Sequence, residues 1–296
     1  MVRRPVWLAR PVWPVSPVWV VLAGIASVQF GAALAKHLFG RIDPTAMVWL
    51  RLAASAVVLL LVARPALRGR NRDDWLTMLA FGLSLGAMNW SIYQAFARIP
   101  LGLAVTIEFA GPLLLAVATS RRARDLAWVG LAALGVGLLG FEPADLDLVG
   151  IGFALLAGAM WAAYILLSAR TGRRWEGLDG LAMASLVATL LLAPFAIPAG
   201  GTDLLDPEIL VFGVAIGMLS SVIPYAADIT ALRRIDPGVF SILMSLEPAA
   251  AALAAMLLLQ EYLSPVQWVA VIAVTVASVG ATRGRPAESV AEPVPN

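Results

Sequence analysis

Cysteine is missing from this chain altogether, and with it go disulfides, thiolate metal sites and thiol nucleophiles. Histidine occurs once, at His37, which excludes a multi-histidine metal centre and leaves no Ser–His pair for nucleophilic catalysis. Lysine also occurs once, at Lys36. Charged residues make up only 14% of the chain, and no polar stretch is long enough to build a second, soluble domain. No cofactor and no metal are expected. What is present is overwhelmingly apolar: 60% hydrophobic residues and a mean hydropathy of +0.86 exceed what a soluble domain tolerates.

The apolar residues gather into ten stretches, near 18–38, 45–63, 75–96, 101–119, 126–141, 149–168, 178–198, 208–231, 238–259 and 266–282. At about 1.5 Å per residue these lengths match, or nearly match, a hydrocarbon core of about 30 Å. Helices are expected, because backbone exposed to lipid must satisfy its own hydrogen bonds. A transmembrane strand would alternate apolar and polar residues, and Val57-Val58-Leu59-Leu60-Leu61-Val62 does not. The first stretch, though preceded by Arg3 and Arg4, is longer than a signal-peptide core and is expected to be retained. The fold class is therefore an all-α membrane protein of ten transmembrane helices.

Basic residues set the orientation. Arg3, Arg4, Arg10, Arg64, Arg68, Arg70, Arg72, Arg121, Arg122, Arg124, Arg170, Arg173, Arg174, Arg233, Arg234, Arg283 and Arg285 fall at the ends and in alternate loops, 17 in all. The intervening loops hold only Arg41 and Arg98, among acids such as Glu142, Asp145, Asp147, Asp203, Asp206 and Glu208. This bias places both termini in the cytoplasm. It also accounts for the sequence pI near 9.4 without a nucleic-acid partner, since the charges are scattered over small loops.

A shift of 136 residues brings Arg98-Ile99 onto Arg234-Ile235, Gly102 onto Gly238 and Pro112 onto Pro248 without a gap. The same shift pairs Leu83-Ser84 with Leu219-Ser220 and Ala46-Met47 with Ala182-Met183. Two halves of five spans each must lie upside down relative to one another, an inverted repeat of the kind that places a binding site at mid-membrane. The expected organisation is a cytoplasmic segment 1–17, a first five-helix repeat 18–141, a second repeat 149–282, and a disordered cytoplasmic tail 283–296. Glycines such as Gly130, Gly135, Gly137 and Gly140 in the fifth span are expected to allow close helix packing.

A charge at the centre of a spanning helix costs roughly 2.5–3.5 kcal/mol on insertion scales, so each one needs a reason to persist. Glu108 lies about 12 Å from the outer end of span four, and Glu247 about 14 Å from the inner end of span nine. Each has a nearby proline, Pro112 and Pro248, which removes an amide donor and frees a carbonyl one turn back. Arg51, well inside span two, either binds a substrate carboxylate or neutralises Glu108. Lys36 reads as snorkelling to the interface with His37 beside it, and Asp228 as pairing with Arg233 or an internal helix end; Lys36 and Asp228 remain secondary site candidates. Gln29, Asn89 and Tyr93, with Trp161, Tyr164 and Tyr225, supply polar and aromatic surface for a cavity among spans one, three, four, six, eight and nine. Asn89 and Tyr93 are one turn apart and share a face.

Several segments resemble the drug/metabolite transporter superfamily in its two-copy, EamA-type form, over roughly residues 18 to 282. They are Ala26-Ser27-Val28-Gln29 with Leu34-Ala35-Lys36; Leu50-Arg51-Leu52; Ser84-Leu85-Gly86-Ala87-Met88-Asn89 with Tyr93; and Pro100-Leu101-Gly102 through Glu108-Phe109 to Gly111-Pro112. Met244-Ser245-Leu246-Glu247-Pro248 answers them in the second half, where the likeness is thinner, and adds Ser245 to the candidates. The resemblance implies a secondary active exporter in a bacterial inner membrane. Its cargo would be small amino acids, threonine- or homoserine-like, driven by proton antiport through alternating access. Glu108 and Glu247 are then the proton-coupling candidates. Another small metabolite or drug, aromatic, cationic or purine-like, is the alternative cargo. An intramembrane enzyme is a remote one. A reporter fused behind Arg285 is expected to score on the cytoplasmic side, and one inserted after Asp203 on the opposite side; two reporters on one side would break the topology.

Overall fold

The computed structural model describes residues 16–119, 125–138, 147–175 and 178–283, and every regular element among them is helical. Residues 1–15 of the expected cytoplasmic segment and 284–296 of the expected tail, together with Arg121, Arg122, Arg124, Gly140, Glu142 and Asp145, lie outside the described residues, and Arg283, expected in the tail, ends the last helix. Helix α1 (Pro17–His37) runs into a 3-10 turn, and α2 (Pro44–Ala63) and α3 (Arg72–Phe96) follow. The fourth apolar stretch divides into α4 (Leu101–Glu108) and α5 (Ala110–Ala118). Next come α6 (Asp125–Leu138), α7 (Leu148–Thr171) and α8 (Asp179–Gly200). The eighth stretch is α9 (Pro207–Gly217), a π turn (Met218–Val222) and α10 (Ile223–Leu232); the ninth is α11 (Pro237–Met244) and α12 (Glu247–Leu259). Helix α13 (Pro265–Arg283) closes the order.

Local sequence explains many of these limits. Asp43-Pro44, Asp206-Pro207 and Asp236-Pro237 each start a helix: the carboxylate accepts an N–H two residues on, from Thr45, Glu208 or Gly238 at 2.7–2.8 Å. The proline then supplies a helical φ where no N–H is needed. Helix α3 begins with a reciprocal capping box between Asn71 and Asp74. Pro112 cannot donate to the carbonyl of Glu108, and the fourth stretch breaks at Phe109.

Among the described residues, eight helical segments are long and apolar enough to cross a bilayer. The other two expected spans are helical as well. Helix α6 is short, at 14 residues, and α3 carries the buried polar side chains Ser84, Asn89, Ser91 and Gln94. Burial is inverted relative to a soluble protein: Leu61 and Phe195 are 68% and 69% exposed, whereas Gln29 and Asn89 are 2% and 3% exposed. Polar groups therefore collect inside and apolar ones face outward.

Packing follows a paired pattern. Helix α2 lies against α8, α4 against α12 and α6 against α13. Helix α3 packs on α7 and α8, and the α9–α10 rod packs correspondingly on α1 and α2. The fifth-span glycines behave differently from expectation. Only Gly135 meets another helix, at Ala270 and Ala273 of α13, while Gly130 and Gly137 lie on exposed faces of α6 with open space before them. The tightest approach is between α5 and α7, where a Cβ on Gly111 would stand 1.9 Å from the carbonyl oxygen of Gly158.

Cross-half ion pairs hold the helix ends. Arg174 donates to Asp74 at 2.7 Å, and the Arg70 guanidinium lies 4.2 Å from the ring centroid of Trp175. At the opposite ends Arg41 contacts Glu208 at 2.8 Å and Asp206 at 3.3 Å, and Arg98 approaches Asp147 at 4.0 Å. The Arg174 guanidinium, followed by the Asn71 amide, holds the Asp74 carboxyl below the usual carboxylate range. A depressed folded-state value contributes stability above about pH 4 that disappears as pH falls through it. Thermal denaturation of the detergent-solubilised protein should accordingly show wild type losing its margin over Asp74→Asn as pH drops below about 4; a constant margin would contradict this. Gly111→Ala should destabilise by about 3 kcal/mol or more in the same assay, since backbone blocks the added methyl. Gly137→Ala, facing open space, should not destabilise.

Candidate functional site

A cavity of about 280 Å³ lies at the centre of the helices. Its walls come from α1, α2, α3, α4, α7, α8, the π turn, α10 and α12. The lining reaches Leu59, Leu181 and Asp228, each within about a turn of an arginine-rich helix end. Toward the opposite ends it stops at Phe96, which packs on Tyr93, itself packed on Phe39, each pair with ring centroids 5.8 Å apart.

Arg51 enters the cavity from α2 and is held by α3. The Asn89 Nδ2 donates to the Leu85 carbonyl at 2.8 Å, which turns its Oδ1 toward the Arg51 guanidinium as acceptor. Arg51 also donates to the Tyr93 hydroxyl at 3.4 Å and stands 5.4 Å from that ring's centroid. Both partners are neutral. The Arg51 Nε is buried with no hydrogen-bond partner, and among the described residues Arg51 forms no ion pair. The expectation that it neutralises Glu108 is thus not met.

Three carboxyl groups share the cavity. Glu108 ends α4 and Glu247 begins α12, and each is 8% exposed. Asp228 lines the wall from α10 and makes no pair with Arg233, contrary to expectation. None of the three has a hydrogen bond or ion pair among the described residues. Aromatic rings complete the wall. Trp161 stands edge-on to Phe109, centroids 5.1 Å apart, and Tyr164 packs on Phe81 at the same separation; Tyr225 joins them from α10.

Not every expected residue gathers here. Gln29, Arg51, Asn89, Glu108, Trp161, Tyr164, Tyr225, Asp228 and Glu247 line the cavity. Tyr93 stands behind Arg51, fully buried. Ser245 donates to the Ser241 carbonyl at 3.0 Å and lines a second cavity of about 390 Å³ with Pro112, Phe109 and Trp161. Pro248 is buried beside Glu247 and lines neither. Lys36 lies apart: it contacts Glu261 at 2.5 Å and donates to the Ile99 carbonyl at 2.8 Å, so it is tied down rather than snorkelling. The second oxygen of Glu261 accepts the first amide of α4, from Leu101, at 2.8 Å. Sequence reasoning found Arg51 on α2 but overlooked its neighbours Leu52 and Leu59 and the whole wall from α8, including Ser185. A lone buried serine in an apolar helix was the signal for Ser185; leucines in such a helix give none.

Known proteins resemble this chain closely. The threonine/homoserine exporter RhtA of Escherichia coli (strain K12) is 38% identical over 283 residues, covering 95% of this chain and 93% of that protein. The exporter of the same name from Salmonella typhimurium (strain SL1344) is 39% identical over 281 residues, covering 94% and 92%. Among the solved structures that match is a crystal structure with a TM-score of 0.59 at 19% identity, covering 89% of this chain and 96% of the other, a likeness of fold alone. The model of the EamA-like transporter family matches residues 148–283, the half in which the sequence resemblance is thinner. With relatives named as exporters and a match to the model of a transporter family, the chain is a transporter rather than an enzyme, and it belongs to the EamA-like transporter family.

Proposed function

We propose that this protein exports small amino acids, threonine- and homoserine-like, across a bacterial inner membrane by alternating access coupled to proton antiport. The observation that carries this reading is a central cavity in which one guanidinium and three carboxyl groups stand without pairing to each other. An amino acid brings one carboxylate and one ammonium, the counter-charges of that guanidinium and of a carboxylate. Arg51, held in place by Asn89 and Tyr93, receives the carboxylate through charge-assisted hydrogen bonds. Glu108 or Glu247 receives the ammonium, and a carboxyl in apolar surroundings exchanges a proton against that cation. A volume of about 280 Å³ is at the lower limit for drug-sized ligands and favours a small cargo.

Ten spans in two inverted five-helix repeats form the framework of this proposal. The packing of α2 with α8 and of α6 with α13 supports it, because these are pairs a two-fold relation would map onto themselves, and so does the packing of α3 on α7 and α8, which the α9–α10 rod repeats on α1 and α2. Breaks in both the fourth and ninth stretches, each beside a glutamate, support it too. The arginine bias favours cytoplasmic termini. A second reading, an aromatic or cationic cargo, draws on Trp161, Tyr164 and Tyr225 in the cavity wall.

Proteoliposomes loaded with threonine or homoserine test the proposal. Wild type should release both faster when a pH gradient is imposed. Arg51→Lys should lower flux about tenfold or more, since a point charge does not replace a planar fork. Glu108→Gln or Glu247→Gln should abolish the response to the gradient. Equal flux in all four proteins would refute the mechanism, and preferential competition by aromatic cations would favour the second reading.

A further inference from the structure

The π turn in the eighth apolar stretch has a chemical cause in the sequence. The π turn Met218–Val222 takes a bond five residues on instead of four: the Ile223 N–H goes to the Met218 carbonyl. The next carbonyl, that of Leu219, has thereby lost Ile223, its ordinary α-helical partner. Its π-type partner would be residue 224, which is proline and has no N–H. Leu219 is left with a carbonyl oxygen that its own helix does not satisfy, in a setting where no lipid can satisfy it.

Another helix supplies the donor. Ser27 of α1 donates its hydroxyl to the Leu219 carbonyl at 2.6 Å. The approach is possible because Gly31, one turn along α1, has no side chain; a Cβ there would stand 2.3 Å from the Ser220 hydroxyl oxygen. Ser55 of α2 reaches the carbonyl of Gly217 at the other end of the turn at 3.4 Å. The residues held this way form cavity wall: Ser220, Ser221, Pro224, Tyr225 and Asp228 all line it. Ser27 itself does not.

We infer that Ser27 is a positioning residue of the transport cavity, its hydroxyl fixing the wall formed by the π turn and α10 by capping the Leu219 carbonyl that Pro224 leaves free. This rests on the transport reading above. A five-residue turn in place of a four-residue one re-phases everything after it by about 100°. The capping bond is what keeps Tyr225 and Asp228 in register with Arg51 and the glutamates across the cavity.

The chemistry prescribes its own control. Pro224→Ala returns an N–H at residue 224, giving the Leu219 carbonyl a partner within its own helix. Threonine flux in proteoliposomes and thermal unfolding in detergent are measured for wild type, Ser27→Ala, Ser27→Thr, Pro224→Ala and the Ser27→Ala/Pro224→Ala double variant. Ser27→Ala should raise KM about tenfold with Vmax within about twofold, because a buried carbonyl loses its only donor. Ser27→Thr, which keeps the hydroxyl, should restore KM to within about threefold of wild type. In the Pro224→Ala background, removing the Ser27 hydroxyl should change KM and the unfolding midpoint little. Equal losses from Ser27→Ala with and without Pro224→Ala, or no loss in either background, would overturn the inference. Should Ser27→Ala alone fail to fold, recovery of folding in the double variant supports the inference and failure of both overturns it. Should wild type carry no threonine, the transport reading fails, and the coupling seen in unfolding still decides whether Ser27 caps Leu219.

Discussion

Inside a bilayer a backbone carbonyl that loses its amide partner has no water to turn to, and that constraint organises this molecule. Prolines in the spanning stretches create such carbonyls, and other helices must come to meet them. Pro112 releases the carbonyl of Glu108, and α7 passes so close that a side chain at Gly158 would stand 2.5 Å from that oxygen. Pro224 releases the carbonyl of Leu219, and Ser27 closes upon it. The breaks in the helices and the tight helix crossings are thus one phenomenon. At these two discontinuities the residue that faces the freed carbonyl is small or hydroxylated, Gly158 in one and Ser27 in the other.

The same constraint explains how charge survives at depth. Arg51 is surrounded by an amide, a phenol and an aromatic face rather than by carboxylates. Neutral partners orient the guanidinium without cancelling it. A direct pair with Glu108 would lock α2 to α4 and leave nothing for a ligand to complete. Among the described residues the ion pairs are instead kept to the helix ends, where Arg41, Arg98, Arg174 and Lys36 join residues of the two halves.

Much of this was legible in the residues alone. Hydropathy located the helical stretches because lipid imposes a length and an apolar surface on any span. Glu108, Glu247 and Arg51 stood out because a charge in such a stretch is costly, and all three line one cavity. Other features depend on partners distant in the chain. Lys36 read as an interfacial cation because Glu261 is 225 positions away, and nothing local announces the pair. Asp228 has Arg233 one turn on, yet faces the cavity instead, since rotation about the helix axis is set by packing against α1. Tyr93 shares a face with Asn89 as its spacing required, but which of them meets the cavity depends on where Arg51 lies between them. The glycines of α6 show the same limit: composition permits close packing on any side of a helix, and only the neighbour, α13, selects Gly135.

Trp161 belongs to the linings of both hollows, with Phe109, at the break between α4 and α5, pressed against its edge. A single indole is therefore the party wall between a charged chamber and an oily one. Widening either chamber by tilting that ring narrows the other. Under the transport reading proposed above, the room for a cargo would therefore be set by the partition and by whatever fills the room next door, not by the charged chamber alone.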